Sequence, residues 1–220
     1  MRYEFTFQPT FLQKAGRLWF PLLLGFALLA STRVPAGEVH GTAVADQVQR
    51  RGTGSALVLN GAGVRVMGLF SVYLAALYLP AASSDGESIL RARAPSHLNF
   101  LLRSITNEQV KSAITGALRD ALTPAQVAPL ASRMQQIDDI IAGLDGLKKG
   151  ATLSLSYQPD AGTRIEVNGA DKGLIPGADL NEALMRIWIG DRPRDPRLRK
   201  ALLGLDAGDT AAAATNRFAP

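Results

Sequence analysis

Between Leu59 and Pro80 the chain reads LNGAGVRVMGLFSVYLAALYLP, a long apolar run with glycines at its start and one arginine, Arg65, inside it. Such a run is a membrane helix, a glycine-rich phosphate loop, or a set of buried strands. The membrane helix is excluded because the glycines, the Asn60-Gly61 turn signal and Arg65 interrupt the run before it reaches spanning length. The phosphate loop fails on several counts. GAGVRVMG contains no G-x-G-x-x-G and no P-loop lysine follows it. The next residues look extended rather than helical, and no acidic residue follows about 20 positions on in a βαβ setting. Strands remain. Ser55 to Asn60 is a short strand ending at the Asn60-Gly61 turn, and Gly63 to Met67 and Leu69 to Leu79 are two further extended segments rich in valine, tyrosine and phenylalanine.

Arg65 stands between Val64 and Val66 in this apolar setting. A guanidinium enclosed there has to be paired, or it costs several kcal/mol. Two readings follow: an arginine on the solvent face or rim of a sheet, or a cationic anchor for an acid or enolate oxygen at the end of an apolar pocket.

The rest of the chain reads as an α+β layout, with strands first, then paired helices, a hairpin and closing helices. Residues 37–52 form an irregular or edge-strand lead-in. A short helix is expected over Glu87 to Arg93 and a strand over His97 to Arg103. Thr106 and Gln109 stand at capping-box spacing before a helix whose Val110, Ile114, Ala117, Leu118 and Leu122 share one face. Thr123-Pro124 starts a second helix with the stripe Val127, Leu130, Met134, Ile137 and Ile141. TLSLSYQPDAGTRIEV, Thr152 to Val167, reads as a hairpin turning at Pro159 to Gly162. Asn168-Gly169 and Lys172-Gly173 mark further turns, and Leu174 to Pro176 is extended. Helices follow over Asp179 to Trp188 and from Asp195-Pro196 to a glycine cap at Gly204.

The first 36 residues read as an export signal, followed by one domain over 37–205 and a loose tail over 206–220. Lys14 and Arg17 precede the 13-residue apolar core Leu18 to Ala30, which is shorter than the roughly 17–25 residues of a membrane span. Small residues then offer cleavage near Ala36 or Ala30, giving a periplasmic or secreted protein with no transmembrane span in the mature chain. An uncleaved membrane anchor is the alternative. Arg2, Lys14, Arg17 and Arg33 against Glu4 give this segment +3 of the formal +5, which leaves +2 for the rest and no case for nucleic-acid binding. Absence of cysteine excludes disulfides and thiolate chemistry. His40 and His97, the only histidines, read as ordinary surface or turn residues, so no metal site is expected, and no cofactor either. Asp138-Asp139 reads as a solvated pair on a polar helix face.

LNGAGVRVMGLFSVYLAALYLP resembles the amino-terminal signature of the chalcone isomerase fold, most closely the bacterial exported chalcone isomerase-like proteins. ITNEQVKSAI, NGADKGLIPG and ALMRIWIGDRPRDPRLRKALLG extend the resemblance over roughly Ala43 to Leu205. It implies a single domain in which a large curved antiparallel sheet carries a layer of helices on one face, with a ligand cleft between the layers. In the plant enzymes an arginine of the first motif assists ring closure, and Arg65 matches it. The plant threonine near the ketone falls on Tyr73. The tyrosine, lysine and asparagine of the helix motif fall on Val110, Ala113 and Ala117, and the late hydroxyl-bearing position falls near Ile187.

Ring closure needs a stabilised phenolate and a polarised enone carbonyl, and a cleft lined by valine and alanine supplies neither. The related non-catalytic branch grips a fatty-acid carboxylate with the arginine and a tyrosine. The resemblance therefore implies a ligand site of Arg65, Tyr73, Val110, Ala113, Ala117 and Ile187, no catalytic residue, and a small apolar acid or fatty acid as ligand. Two alternatives stand beside it: a scaffold for a protein partner of the envelope, and a chalcone isomerase-type intramolecular lyase.

Overall fold

The computed structural model describes residues 36–50, 55–104, 107–144 and 147–206, all within the compact unit Val34–Pro220. The expected export segment up to Pro35, the tail from residue 207 and the Thr106 cap lie outside the described residues.

Seven strands form one antiparallel sheet in which each strand pairs with its neighbours in sequence: β3 (Gln47–Gln49), β4 (Ala56–Met67), β5 (Phe70–Leu79), β6 (Ser96–Leu102), β7 (Thr152–Gln158), β8 (Gly162–Val167) and β9 (Ala170–Ile175). The sheet curls into a half-barrel. A separate hairpin, β1 (Ala36–Val39) and β2 (Thr42–Ala45), precedes it. Helix α1 (Gly86–Ala92) links β5 to β6. Helices α2 (Asn107–Ala121), α3 (Pro124–Val127) and α4 (Ala131–Ala142) fill the connection from β6 to β7, and α5 (Ala178–Ile189) and α6 (Pro196–Leu202) follow β9. The lead-in expected to be irregular or an edge strand is a regular hairpin followed by the edge strand β3.

The sheet has two apolar faces. Ala75, Leu77 and Leu79 of β5 join Leu98, Phe100, Leu153 and Ile165 beneath the helices. Leu74, Ala76 and Tyr78 point the other way, into a smaller cluster with Leu57 and Val44 of β2. Burial on both faces explains why β5 reads as a continuous apolar run rather than an alternation.

Asn60-Gly61 corrects the sequence reading. It is not a turn but a bulge inside β4, where the register with β5 shifts between Leu59 and Gly61. Side chains alternate along a strand, so one extra residue exchanges the faces. Before the bulge Leu57 and Leu59 face the smaller cluster. After it Ala62 and Val64 face that cluster, while Gly61, Gly63 and Arg65 turn towards the helices.

Helix α6 lies directly on the two glycines. A Cβ at Gly61 would stand 2.1 Å from the Ala201 carbonyl oxygen, and one at Gly63 would stand 2.6 Å from the Ala201 Cβ. Asn60 itself is buried, donating through Nδ2 to the Leu202 carbonyl at 2.7 Å and accepting from the Ser83 N–H at 2.7 Å. The bulge thereby caps one of the free carbonyls at the end of α6.

Three other expectations change. The stripe Val127 to Ile141 is not one helix: α3 passes through a 3-10 turn at Ala128–Leu130 before α4. Pro129 has no N–H to donate back, which interrupts the ladder there. Lys172-Gly173 lies within β9 instead of forming a turn, because Gly173 gives room to the Ile140 side chain, whose Cδ1 would stand 2.6 Å from a Cβ there. Asp138 is not merely solvated, since it accepts a hydrogen bond from the Thr115 hydroxyl and so joins α4 to α2.

Gly61→Ala is expected to destabilise the domain by about 3 kcal/mol or more, because the new methyl meets backbone that cannot yield cheaply. A urea denaturation series measures it. A midpoint equal to that of the parent protein would mean that α6 does not sit on β4.

Candidate functional site

Downstream of the bulge, Arg65 sits opposite Tyr73 on β5. Both border a cavity of about 60 Å³ between sheet and helices. Its floor is Phe100, Leu102 and Leu153 from the sheet. Val110, Ile114 and Ala117 of α2 roof it, and Ile187 and Trp188 of α5 with Arg194 close the side. Of the six residues expected from the sequence, five stand around this one cavity. The sixth, Ala113, belongs to α2, but its side chain lies outside the described ones.

Three aromatic rings and one hydrogen bond organise the polar end. Tyr73 meets Phe100 edge-on at 5.3 Å between centroids, and Phe100 meets Trp188 at 4.9 Å. The Trp188 Nε1–H donates to the Tyr73 hydroxyl at 3.1 Å and closes the group. Trp188 is held in turn because Arg199 of α6 donates through Nε to the carbonyls of Ile189 and Gly190, at 3.2 and 3.0 Å, fixing the end of α5.

Burial pushes the Tyr73 phenol above its ordinary pKa; the Trp188 N–H and the Arg65 guanidinium beside it act against that rise, and Asp195 adds to it. Tyr73 therefore stays a neutral phenol at physiological pH. Its oxygen accepts from the indole, which leaves its own O–H to donate to a third group. Among the described residues no carboxylate makes an ion pair with Arg65. The second cation at the cavity, Arg194, is engaged by Asp120 of α2.

Sequence reasoning missed Trp188 and Arg194. Trp188 follows Leu184 at helical spacing on an apolar face, which by itself reads as core. Arg194 is one of three arginines in GDRPRDPR, and nothing in that string marks which of them turns inward.

The second face carries a larger hollow of about 420 Å³ bordered by Leu57, His97, Ser156, Arg164 and Glu166. Here His97 departs from the surface or turn residue expected. It is a half-buried residue of β6 with Nδ1 2.8 Å from the Ser156 oxygen, and burial lowers its pKa, with Glu166 pulling the other way. His40 does sit in a turn, between β1 and β2. No group of three or more histidine, aspartate or glutamate residues with metal-binding placement occurs among the described residues.

The family model described as chalcone isomerase-like matches residues 36–204. The chain belongs to the chalcone isomerase-like family. Among solved structures it is similar to a fatty-acid binding protein of Arabidopsis thaliana, with a TM-score of 0.57 and 16% identity over 76% of this chain and 98% of that one. A search of curated protein sequences returns no match. At that identity the likeness supports the fold: a chalcone isomerase-like half-barrel with helices on one face. The present chalcone isomerase-like chain keeps an arginine and a phenol at the cavity and surrounds them with valine, isoleucine, leucine and alanine.

Tyr73→Phe is expected to cost about 1–3 kcal/mol of stability, since the Trp188 N–H loses its acceptor inside the layers. The double variant with Trp188→Phe should recover part of that loss, and a double-mutant cycle by thermal or urea unfolding measures the coupling. Strictly additive losses would mean that the bond carries no coupling.

Proposed function

We propose that this protein binds a small apolar acid, such as a fatty acid, between its sheet and helices without transforming it. One observation carries the reading: Arg65, with the Tyr73 hydroxyl beside it, stands at the polar end of a cavity otherwise lined mainly by hydrocarbon. A carboxylate placed there accepts two parallel bonds from the guanidinium and a third from the Tyr73 O–H, a charge-assisted arrangement. The alkyl chain runs beneath α2, past Val110, Ile114 and Ala117. That the Arabidopsis relative is a fatty-acid binding protein supports the same class of ligand. The reading includes export: the protein holds its ligand outside the cytoplasm once the amino-terminal signal has acted.

The cavity of about 60 Å³ admits a head group but no long chain, whereas pockets that enclose a whole ligand run to about 300–1,000 Å³. Binding therefore includes a displacement of α2 away from the sheet. Each methylene that enters contributes about 0.8 kcal/mol towards it.

A lyase is less well supported. No carboxylate or histidine is among the described residues lining the cavity, and Tyr73, shifted upward, is no base near neutral pH. Ring closure would have to proceed with the oxygen polarised and no proton acceptor at hand.

The test is mass spectrometry of organic extracts from the purified protein and from Arg65→Ala, with thermal shifts on adding acids of different chain length. Co-purifying acids should be present in the parent and depleted about tenfold or more in the variant, as expected for losing a charge-assisted pair. No acid in either, and no stabilisation by any added acid, would sink the reading.

A pH series adds an independent check. The raised Tyr73 pKa keeps the phenol protonated, so affinity should stay level from neutral to mildly alkaline pH. It should fall once the ligand's own carboxyl takes up a proton, below roughly pH 5. A midpoint near neutrality would point to a different acceptor group.

A further inference from the structure

The turn between β4 and β5 ends in side chains that a soluble hairpin normally keeps polar. Val66 is 51% exposed, Met67 58%, Leu69 97% and Phe70 69%, and these account for four of the six large exposed apolar residues among those described. They are consecutive around Gly68, whose φ of +58° makes the turn and around which no atom lies within 4 Å of a would-be Cβ. The result is an apolar prong that projects beyond the sheet.

Cations surround its base. The hollow behind the prong is bordered by His40, Thr42, Leu69, Phe70, Arg103 and Lys149, with no carboxylate among its described lining residues. Arg103 is steadied by donating to the Thr42 hydroxyl at 2.7 Å. Exposed Lys148 stands next to Lys149 in the turn leading to β7, at the same end of the sheet. Of the carboxylates near this end, Asp171 is engaged by Arg164 and Asp120 by Arg194, while Asp195 lies close enough to act on Tyr73.

We propose that this prong inserts into the headgroup layer of an anionic lipid bilayer, with Leu69 and Phe70 leading and Arg103, Lys148 and Lys149 meeting the phosphates. A surface that is apolar at its point and cationic at its shoulders complements a medium that is negative outside and hydrocarbon within. Docking stands without the acid-binding reading. Taken together with that reading, the geometry gives the insertion a purpose. Arg65 directly precedes Val66, and Tyr73 lies three residues after Phe70, so the prong brings the acid site to the membrane surface.

The absence of cysteine allows a clean test on the full chain. Leu69→Cys, and Asp160→Cys in the β7–β8 turn at the opposite end of the sheet, each carry one environment-sensitive fluorophore. Vesicles of phosphatidylcholine with and without phosphatidylglycerol are then added, some containing brominated acyl chains. The label at 69 should shift to the blue and be quenched by brominated lipid, more strongly on anionic vesicles and less as salt rises, while the label at 160 should stay unchanged. Lys148→Glu combined with Lys149→Glu, two exposed residues of one turn, should weaken the response at 69 by about tenfold or more, with an unchanged thermal melt.

An unresponsive label at 69 overturns the proposal, including the case where the chain reaches vesicles through its amino-terminal apolar segment alone. Equal responses at 69 and 160 overturn it too. So does a shift that depends on protein concentration without lipid, which would make the prong a contact between copies of the chain. Acid binding fails separately: Arg65→Ala empties the acid site and leaves docking intact, and the charge-reversed pair does the opposite.

Discussion

The bulge at Asn60 is the constraint on which the rest of the structure depends. It changes the parity of β4, so that one strand presents leucines and valines to the small cluster and two glycines with Arg65 to the helices. Without the extra residue Arg65 would point into the face that holds Leu74, Ala76 and Tyr78, away from the cavity beneath the helices. The Asn60 side chain also secures the consequence of its own irregularity, since it binds the Leu202 carbonyl and the Ser83 N–H. Leaving such buried groups unpaired costs about 1–3 kcal/mol each. The amide carries both a donor and an acceptor and satisfies both partners at once.

The placement of α6 then governs the polar end of the cavity from a distance. α6 rests on Gly61 and Gly63, and its Arg199 holds the last carbonyls of α5. The end of α5 carries Trp188, and Trp188 orients the Tyr73 hydroxyl. Arg65 and Tyr73 are neighbours on adjacent strands, but the direction in which the phenol donates is set through three elements. That is why a glycine pair with no polar chemistry belongs to the same structural unit as the cation.

Much of the fold was legible in the sequence, because alternation in Thr152 to Val167 and helical spacing in Met134 to Ile141 report burial directly. Arg65 was legible as a lone charge between valines. What the local signals misjudged was the backbone at Asn60-Gly61. Asn-Gly favours a tight turn when strands end there, and here the requirement that α6 approach β4 closely uses the same residues for a bulge. The Pro129 interruption and the long β9 were missed for a similar reason, since proline and glycine mark breaks without saying which kind. Trp188 was out of reach because its bond to Tyr73 spans 115 positions, and only the folded chain brings the two together. His97 lies in the strand expected for it, and its half-buried ring was missed because its partner, Ser156, is 59 positions away on the neighbouring strand.

Whether so small a cavity can open is a question of magnitudes. The polar ties that hold α2 in place include the Asp120–Arg194 pair and the Thr115 hydroxyl bond to Asp138. The first is 63% and 39% exposed, and an ion pair so placed contributes about 0–1 kcal/mol. The second, a bond to a charged acceptor, contributes about 1.5–3 kcal/mol, and it joins α2 to α4, so it survives if the two helices move as one layer. The packing of Val110, Ile114, Ala117 and Leu118 also resists, and an entering alkyl chain replaces it with contacts of the same kind. At about 0.8 kcal/mol for each methylene, a chain of several carbons offsets the exposed ion pair and one hydrogen bond with a surplus. A two-carbon acid does not. On the proposed acid-binding reading, the same arithmetic that keeps the cavity closed when empty would favour acids with a tail.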